Sequence, residues 1–331
     1  MDSFKDKSVL ITGATGLIGS NLVDRLMQSD IAKLIVTGRS KKKLESTFLE
    51  YARDERFAIV EHDASTPYPE TIKDIDFIFH AAGPMERDVV MNRPVTVVLP
   101  NILGTINSLE FLRKQEILNG RKGRIIIFSS VTVYSNPSSK DYIAVESDTT
   151  HAISLDQPYS CYAESKRMAE VIAQSYKRQY DVDIVIARFS TVYGWCKNIP
   201  ETAFFEFINK ALVNDTIVLK GNGIPKRDNI YVDDAVDGLI TVALKGMQGE
   251  AYNISSNGDL GNYVAIDEIA QQIANAVSII KETEPVKVIK PIGEEMRKPG
   301  LQLSNIKLKE LGWVLKTEHF DGIKKTILKM I

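Results

Sequence analysis

The stretch Ser8-Val9-Leu10-Ile11-Thr12-Gly13-Ala14-Thr15-Gly16-Leu17-Ile18-Gly19-Ser20-Asn21-Leu22 decides how this 331-residue chain is interpreted. Its first residues form a short apolar run typical of a buried strand, and Leu17, Leu22 and Leu26 begin the period of a helix. Between the two lie three glycines with the spacing G-x-x-G-x-x-G. Such a turn presents free backbone N–H groups and the positive end of a helix dipole to an anion, and glycine lets a pyrophosphate approach closely. The stretch therefore predicts a dinucleotide site.

The bulk composition indicates a globular protein with room for a core and a second lobe, at 44% hydrophobic and 25% charged residues. A net charge of −2 gives no electrostatic reason to expect nucleic acid or an anionic membrane as a partner. The first residues lack the apolar core of a signal peptide, and no apolar run approaches the length of a membrane span. Cys161 and Cys196 lack the spacing of a metal site or a disulfide framework. We therefore expect a cytoplasmic protein that binds no metal, nucleic acid or membrane.

The end of the second predicted strand, residues 33–37, bears on the choice of cofactor. Sites that prefer NAD usually carry Asp or Glu here, which accepts hydrogen bonds from the ribose hydroxyls. This chain instead has Gly38-Arg39-Ser40. A small residue followed by a cation suits the 2′-phosphate of NADP, although the basic residues could simply be the solvated start of a helix over 41–51. NAD and NADP both stay open, with NADP favoured.

Two further strands are predicted for residues 57–60 and 75–80. Asp63 follows the first of them, where a carboxylate often contacts adenine. His80-Ala81-Ala82-Gly83 ends the second, and small residues there let the backbone run close to a cofactor. A histidine at a strand end is more often structural, so His80 is not assigned a catalytic role.

The fifth predicted strand, residues 124–128, runs into the polar segment Ser129-Ser130-Val131-Thr132-Val133-Tyr134. Open α/β sheets place their ligands at the carboxyl end of such a strand. The stretch 135–158 shows no clear periodicity and is expected to line the mouth of the site.

A candidate acid–base pair opens the helix that begins near Tyr159. Tyr162 and Lys166 are four residues apart and so lie on one helical face. A lysine ammonium beside a phenol favours the phenolate, which lowers the tyrosine pKa towards the range useful for proton transfer. Tyr159 has no lysine at the same offset, so Tyr162 is the candidate base.

In this order, these motifs resemble the extended short-chain dehydrogenase/reductase family, specifically its nucleotide-sugar epimerases and dehydratases. The resemblance covers essentially the whole chain. It includes Ala187-Arg188-Phe189-Ser190-Thr191-Val192-Tyr193-Gly194, similar to the family's R-x-x-N-x-Y-G, and Arg227-Asp228 with Tyr231-Val232-Asp233-Asp234, similar to its R-D-x-x-Y-V-x-D. It implies an α/β fold: a Rossmann-type doubly wound parallel sheet with a smaller C-terminal α/β lobe. We assign residues 1–189 and about 226–246 to the dinucleotide-binding domain, and about 190–225 and 247–331 to the nucleotide-sugar lobe.

The resemblance also implies roles for individual residues. Tyr162 would take the proton from a sugar hydroxyl, Lys166 would hold the nicotinamide ribose, and Ser130 would hydrogen-bond the reacting oxygen. The implied cofactor contacts are Gly13, Thr15, Gly16, Leu17, Ile18, Gly19, Arg39, Ser40, Asp63, Ala64, Ala81, Ala82, Gly83, Ser129, Tyr162 and Lys166. The implied contacts to a nucleotide-diphospho-sugar are Ser130, Thr132, Thr191, Arg227 and Arg297. A homodimer packed through the helices beginning near Val97 and Tyr162 is implied as well.

Departures from the family pattern narrow the expected reaction. Dehydratases of the family carry an Asp-Glu pair where this chain has Val131 and Thr132, and glucuronate decarboxylases carry Glu at the second of these places. The segment ending in Tyr134 looks instead like that of C4 epimerases. Thr191 replaces an asparagine, and Gly300 an aspartate, which loosens the analogy at the substrate. We therefore expect an NAD(P)-dependent nucleotide-sugar 4-epimerase; the alternatives are an NADPH-dependent 4-keto-sugar reductase, a UDP-glucuronate decarboxylase-like enzyme and a non-catalytic cofactor-sensing module.

Overall fold

A computed structural model of the chain describes residues 3–134, 141–148, 154–291 and 300–331. In these residues the strands are β1 Ser8–Thr12, β2 Lys33–Gly38, β3 Phe57–Glu61, β4 Phe77–His80, β5 Arg124–Ser130, β6 Tyr142–Ala144, β7 Asp183–Phe189, β8 Thr191–Tyr193, β9 Ile217–Val218, β10 Lys226–Tyr231, β11 Ala251–Ile254, β12 Tyr263–Ala265, β13 Val288–Ile289 and β14 Leu301–Leu303. The α-helices are α1 Leu17–Met27, α2 Lys41–Thr47, α3 Arg87–Asn92, α4 Val95–Asn119, α5 Ser160–Tyr180, α6 Ala203–Leu212, α7 Val232–Lys245, α8 Ile266–Lys281, α9 Ile306–Glu310 and α10 His319–Leu328.

A parallel sheet of seven strands in the order β11-β7-β5-β4-β1-β2-β3 forms the centre of the fold. Helices cover both of its faces, so strands such as β1 are apolar on both sides, and Val9, Leu10 and Ile11 are fully buried. The chain builds β2 and β3 on one side of β1 and then returns to place β4 on the other side. This change of direction opens a crevice beyond the carboxyl ends of β1 and β4. The predicted doubly wound α/β fold is confirmed.

The two helical layers differ in what they contribute to that crevice. On one face α4 and α5 pack against each other and against the sheet, and Leu109 and Leu112 of α4 share a core with Ala169 and Ala173 of α5. On the other face α1 packs beside α7. As a result, α1 and α5 both reach the carboxyl edge of the sheet.

The smaller part of the molecule is built from short strands and helices near the same edge. It contains the sheet β12-β10-β8 and the strand pairs β13-β9 and β14-β6, with α6 and α10 packed on α8. Strand β11 lies in the range 247–331 that we assigned to this lobe, yet it pairs in parallel with β7 as the edge strand of the large sheet. Main-chain pairing of this kind joins residues far apart in sequence, so periodicity does not reveal it.

Helix α4 corrects one expectation from the sequence. By length and composition it could cross a membrane, with a mean hydropathy of 1.4 over an 18-residue window, so the expectation that no run approaches that length is wrong. The helix is weak evidence for a span, because the core helix of a folded domain passes the same test. Asn101, Thr105 and Ser108 are buried on it and hydrogen-bond within the protein.

Candidate active site

The glycine turn is pressed against the end of β4. Gly13 has a φ of +64°, and a Cβ on it would lie 2.8 Å from both Ala81 O and Ala82 N. A Cβ on Gly19 would lie 2.8 Å from Gly13 O. Gly16 differs, because its Cβ would meet only Gly13 O, at 3.5 Å. Gly13 and Gly19 are therefore required by packing, whereas Gly16 leaves space open in front of α1.

The first turn of α1 is suited to an anion. Gly16 is its N-cap and provides no side-chain hydrogen bond, and the turn contains no acidic residue. The positive end of the helix dipole is therefore uncompensated by α1 itself, as expected for a pyrophosphate-binding turn.

His80 joins β1, β4 and α4 behind the crevice. Its Nδ1 lies 2.9 Å from Thr12 Oγ1 and its Nε2 lies 3.2 Å from Pro100 O. Burial lowers the pKa of His80 to about 3, so the ring is neutral. Because a carbonyl only accepts, Nε2–H donates to Pro100 and Nδ1 accepts from the Thr12 hydroxyl, which in turn accepts from Ala82 N at 3.1 Å. His80 thus fixes the backbone of the Ala81–Ala82 segment.

Ser130, Tyr162 and Lys166 come together between the end of β5 and the first turns of α5. The Ser130 side chain lies close enough to the phenol of Tyr162 to lower its pKa. Lys166 Nζ donates to Phe128 O at 2.8 Å and lies 5.8 Å from the centroid of the Tyr162 ring. All three side chains are buried. The structure therefore assembles the three candidate catalytic residues in one place.

Burial and polar neighbours act in opposite directions on the pKa values of these groups. Burial raises the pKa of Tyr162, and the neighbouring Ser130 side chain lowers it. Burial lowers the pKa of Lys166 to about 8, and the nearby carboxylate of Glu170 acts against that shift. A lysine in this range can still be protonated at neutral pH, and a cation beside the phenol is what a tyrosine base requires.

A buried acceptor without a partner faces this group of residues. Asn101 donates through Nδ2 to Val97 O and to Ser165 Oγ, while its Oδ1 has no hydrogen-bond partner among the described residues. A Cβ on Gly83 would lie 2.4 Å from that oxygen and 3.2 Å from Lys166 Nζ. Buried acceptors in native proteins are normally satisfied. The orphaned oxygen and the space kept by glycines fit a polar cofactor laid from α1 towards Lys166.

The adenosine end of this path contains the residues considered for cofactor choice. Ser40 caps α2, since its Oγ accepts from Lys43 N at 3.3 Å. Asp63 accepts from Ser65 N and Oγ at 2.9 and 2.7 Å, and these bonds, with a smaller effect of Arg39, lower its pKa. Arg39 is exposed at the carboxyl end of β2. Gly38 leaves no carboxylate to meet a ribose hydroxyl.

The candidate substrate residues are spread along the lobe side of the crevice. Thr132 has a buried Oγ1 with no partner among the described residues. Thr191 on β8 and Arg227 on β10 are exposed, and Arg227 donates to the backbone oxygen of Lys226. Arg297, and residues 135–140 and 149–153 of the stretch expected to line the mouth of the site, lie outside the described residues.

Sequence reasoning did not predict several contacts made by polar side chains of this region. Ser129, predicted as a cofactor contact, donates its hydroxyl to Glu170. Glu170 in turn pairs with Arg188 of β7. Asn198 reaches back from the segment after β8 to Thr15 O at 3.3 Å in the glycine turn. Glu170 could have been noticed because it continues the four-residue spacing of Tyr162 and Lys166, but its partners are set by the fold.

Comparison with known proteins agrees with this geometry. The family model for the NAD dependent epimerase/dehydratase family matches residues 9–255. UDP-glucuronic acid decarboxylase 6 of Arabidopsis thaliana is 28% identical over 319 residues, covering 95% of this chain and 86% of that protein. The dTDP-D-glucose 4,6-dehydratase of Bos taurus is 29% identical over 341 residues, covering 98% and 89%.

Solved structures share the fold. A UDP-glucose 4-epimerase from Thermotoga maritima, solved with UDP-glucose, superposes with a TM-score of 0.78 at 22% identity and covers 98% of both chains. A dTDP-glucose 4,6-dehydratase from Streptomyces venezuelae, solved with NAD, has a TM-score of 0.78 at 24% identity and covers 97% of this chain and 96% of that one. The glycine turn, the crevice and the Ser130–Tyr162–Lys166 arrangement define a dinucleotide-dependent enzyme class. The chain belongs to the NAD dependent epimerase/dehydratase family, whose relatives act on nucleotide sugars.

Proposed function

We propose that the protein is an NAD(P)-dependent nucleotide-sugar 4-epimerase. The observation that carries the proposal is the end of β5, where Ser130 lies beside Tyr162 and the next two residues are Val131 and Thr132. Neither of these two side chains can act as an acid or a base. An elimination across C5 and C6 would need both functions in addition to Tyr162. Oxidation at C4 followed by its reversal needs only the three assembled residues and a bound NAD(P) that accepts the hydride.

The roles follow from the chemistry of the side chains. Tyr162 accepts the proton of the C4 hydroxyl, and Ser130 hydrogen-bonds the same oxygen as its charge changes. Lys166 keeps the phenol acidic by its charge. The turn at Gly13, Gly16 and Gly19 would hold the pyrophosphate of NAD(P), which would accept a hydride from C4 and return it to the opposite face once the 4-keto sugar has rotated. Arg227 is available for the diphosphate of the sugar nucleotide.

The test is turnover on a panel of sugar nucleotides. We would incubate the protein with UDP- and dTDP-hexoses and with UDP-glucuronate, and follow products by NMR and reduced cofactor by absorbance. An epimerase gives the C4 epimer with no net change in cofactor. Loss of carbon dioxide from UDP-glucuronate would instead assign a decarboxylase, as in the Arabidopsis relative, and overturn the proposal.

A second candidate is a nucleotide-4-keto-sugar reductase, favoured by Gly38 and the exposed Arg39 at the carboxyl end of β2. Reductive biosynthesis generally draws on NADPH, and a cation there suits its 2′-phosphate. Stoichiometric consumption of NADPH with a 4-keto sugar would select this function over the epimerase.

Replacing Arg39 with Gln is expected to raise the dissociation constant for NADP by about tenfold and to leave that for NAD unchanged. A hydrogen bond to a charged phosphate contributes on the order of 1.5 kcal/mol or more, which corresponds to about that factor. Calorimetric titration with both cofactors measures it. Arg53→Gln, at another exposed arginine, is the control. If the binding of both cofactors weakens equally, or if the binding of neither weakens, Arg39 does not contact the 2′-phosphate.

We also propose that the protein is a homodimer packed through α4 and α5. Val95, Leu99 and Leu103 repeat every four residues on α4 and are 63%, 40% and 38% exposed, and Met168 and Val171 on α5 are exposed as well. Contiguous apolar faces of this kind are usually covered by a partner.

Leu103→Glu is accordingly expected to convert a dimer into a monomer, because it places a charge in an apolar interface. Light scattering coupled to size-exclusion chromatography gives the mass directly. Ile279→Glu on α8, at a side chain 62% exposed, is the control and should leave the mass unchanged. A wild-type protein that is monomeric at micromolar concentration would contradict the proposed interface.

A further inference from the structure

The end of β5 contacts three successive turns of α5. Ser130 lies beside Tyr162, Phe128 O accepts from Lys166, and Ser129 Oγ donates to Glu170. The three α5 residues are four apart, so they form one row facing the strand. Two members of the row already have proposed chemical roles. The third, Glu170, has none.

Glu170 is held by an arginine from the neighbouring strand. Arg188 of β7 donates from Nε to Oε1 at 3.0 Å and from Nη2 to Oε2 at 2.7 Å. Both residues are buried, at 8% and 9% exposure. Arg188 also donates from Nη1 to the Tyr134 hydroxyl at 2.6 Å and to Glu146 O at 3.1 Å. The guanidinium is thus fixed on both sides, and the carboxylate cannot turn away from the row.

We propose that Glu170, clamped by Arg188, is a positioning residue that keeps Lys166 protonated and holds the Ser129–Ser130 end of β5 against α5. The proposal rests on the role of Lys166 in the proposed function but not on the identity of the sugar. A buried ion pair by itself is weak evidence for stability. Because Glu170 lies one helical turn after Lys166 in the same row, the ion pair can also act on the protonation of Lys166.

The titratable and charged groups around Lys166 determine whether its pKa rises or falls when Glu170 is removed. Tyr162 and Glu170 face it from α5, and Arg188 of β7 stands behind Glu170. β4 contributes His80, which is neutral, and α4 contributes Asn101, which does not titrate. Glu170 is the carboxylate that raises the pKa of Lys166 against the effect of burial. Removing that charge therefore destabilises the ammonium form, and the midpoint of its titration falls.

The experiment compares Lys166 in the wild type and in the double variant Glu170→Gln/Arg188→Met, which removes both charges and leaves neither unpaired. Protein labelled with carbon-13 at lysine Cε is titrated by NMR, and the Lys166 signal is assigned by its loss in Lys166→Arg. We expect the midpoint to fall by about one pH unit, because Glu170 is the charged group that acts on the pKa of Lys166 and Arg188 has no comparable effect on it. The alkaline limb of any turnover profile should move in the same direction.

The matched control is the ion pair at the other end of the same two strands. Arg124 of β5 donates from Nε to Asp183 Oδ2 of β7 at 2.9 Å. Arg124→Met/Asp183→Asn disturbs the same strands far from the row and should leave the Lys166 midpoint unchanged. Urea unfolding of all variants reports their stability separately.

Two results decide the proposal. If the Lys166 midpoint is the same in the Glu170→Gln/Arg188→Met variant and in the wild type, the Glu170–Arg188 ion pair is only a structural contact. That result would overturn the proposal. If the double variant does not fold, Glu170→Gln and Glu170→Asp are compared, and the aspartate variant should retain most of the wild-type midpoint while the glutamine variant does not. Equal midpoints in those two would overturn it as well. The NMR readout does not use a sugar substrate, so it stays valid if the epimerase proposal fails.

Discussion

Replacing Tyr162 with Phe is expected to lower turnover by about a thousandfold, since general acid–base catalysis contributes on the order of 10² to 10⁴ in rate. The substitution removes only the hydroxyl, which lies beside Ser130 and in the row that includes Lys166. The ring stays in its buried place between α5 and the residues Val90 and Val97, so the fold should persist. Steady-state rates on the substrate identified by the panel measure the effect.

Tyr159→Phe is the matched control for this prediction. Tyr159 stands one turn before Tyr162 as the N-cap of α5, and its side chain is 47% exposed. We expect both its turnover and its binding of NAD to equal those of the wild type. If cells that need this protein for growth grow as well with Tyr162→Phe as with the wild type, the protein is a cofactor-sensing module and not an enzyme.

Gly13→Ala is expected to lower the free energy of unfolding by about 2 kcal/mol or more. A left-handed φ costs a residue with a Cβ roughly 1–2 kcal/mol, and the added atom would also press on the backbone of Ala81 and Ala82. That backbone is held by Thr12 and cannot move away freely. Urea denaturation monitored by circular dichroism measures the change.

Gly16→Ala provides the contrast within the same turn. Gly16 has an extended backbone with a φ of −75°, and its Cβ would make only an ordinary contact. The free energy of unfolding should change by less than about 0.5 kcal/mol, as for surface substitutions. If Gly16 keeps space for the pyrophosphate, the dissociation constant for NAD should still rise by about tenfold. A destabilised Gly16→Ala protein, or a Gly13→Ala protein as stable as the wild type, would contradict this assignment.

The glycine turn and the candidate catalytic residues could be predicted because they are local patterns. An apolar run, a G-x-x-G-x-x-G spacing and a helical period lie within a few residues of one another, and each reports on hydrogen bonding or burial nearby. Tyr162 and Lys166 are likewise one helical turn apart. The structure places these elements as expected, with small shifts at their ends, such as α5 beginning at Ser160.

The contacts across the fold could not be predicted. Ser129 donates its hydroxyl to Glu170, a contact that no local pattern indicates. Strand β11 was assigned to the smaller lobe, but it extends the large sheet. Both contacts join residues that are 41 or more positions apart in the sequence. Several arrangements of similar polarity satisfy the same local pattern, so that pattern does not select one of them.

The sequence by itself determined the alternation of strands and helices, the glycine turn and the tyrosine–lysine pair, because short-range periodicity and backbone sterics encode them. The doubly wound order of the strands was implied by the family resemblance. Only the tertiary structure decided that a buried Asn101 oxygen with no partner among the described residues lies beside Gly83, as Lys166 does, and that Arg188 pairs with Glu170 one turn after Lys166. The physical reason is that charge and hydrogen-bond partners in a buried site are chosen by three-dimensional proximity. That proximity arises when β4, β5, β7 and two helices converge on one edge of the sheet.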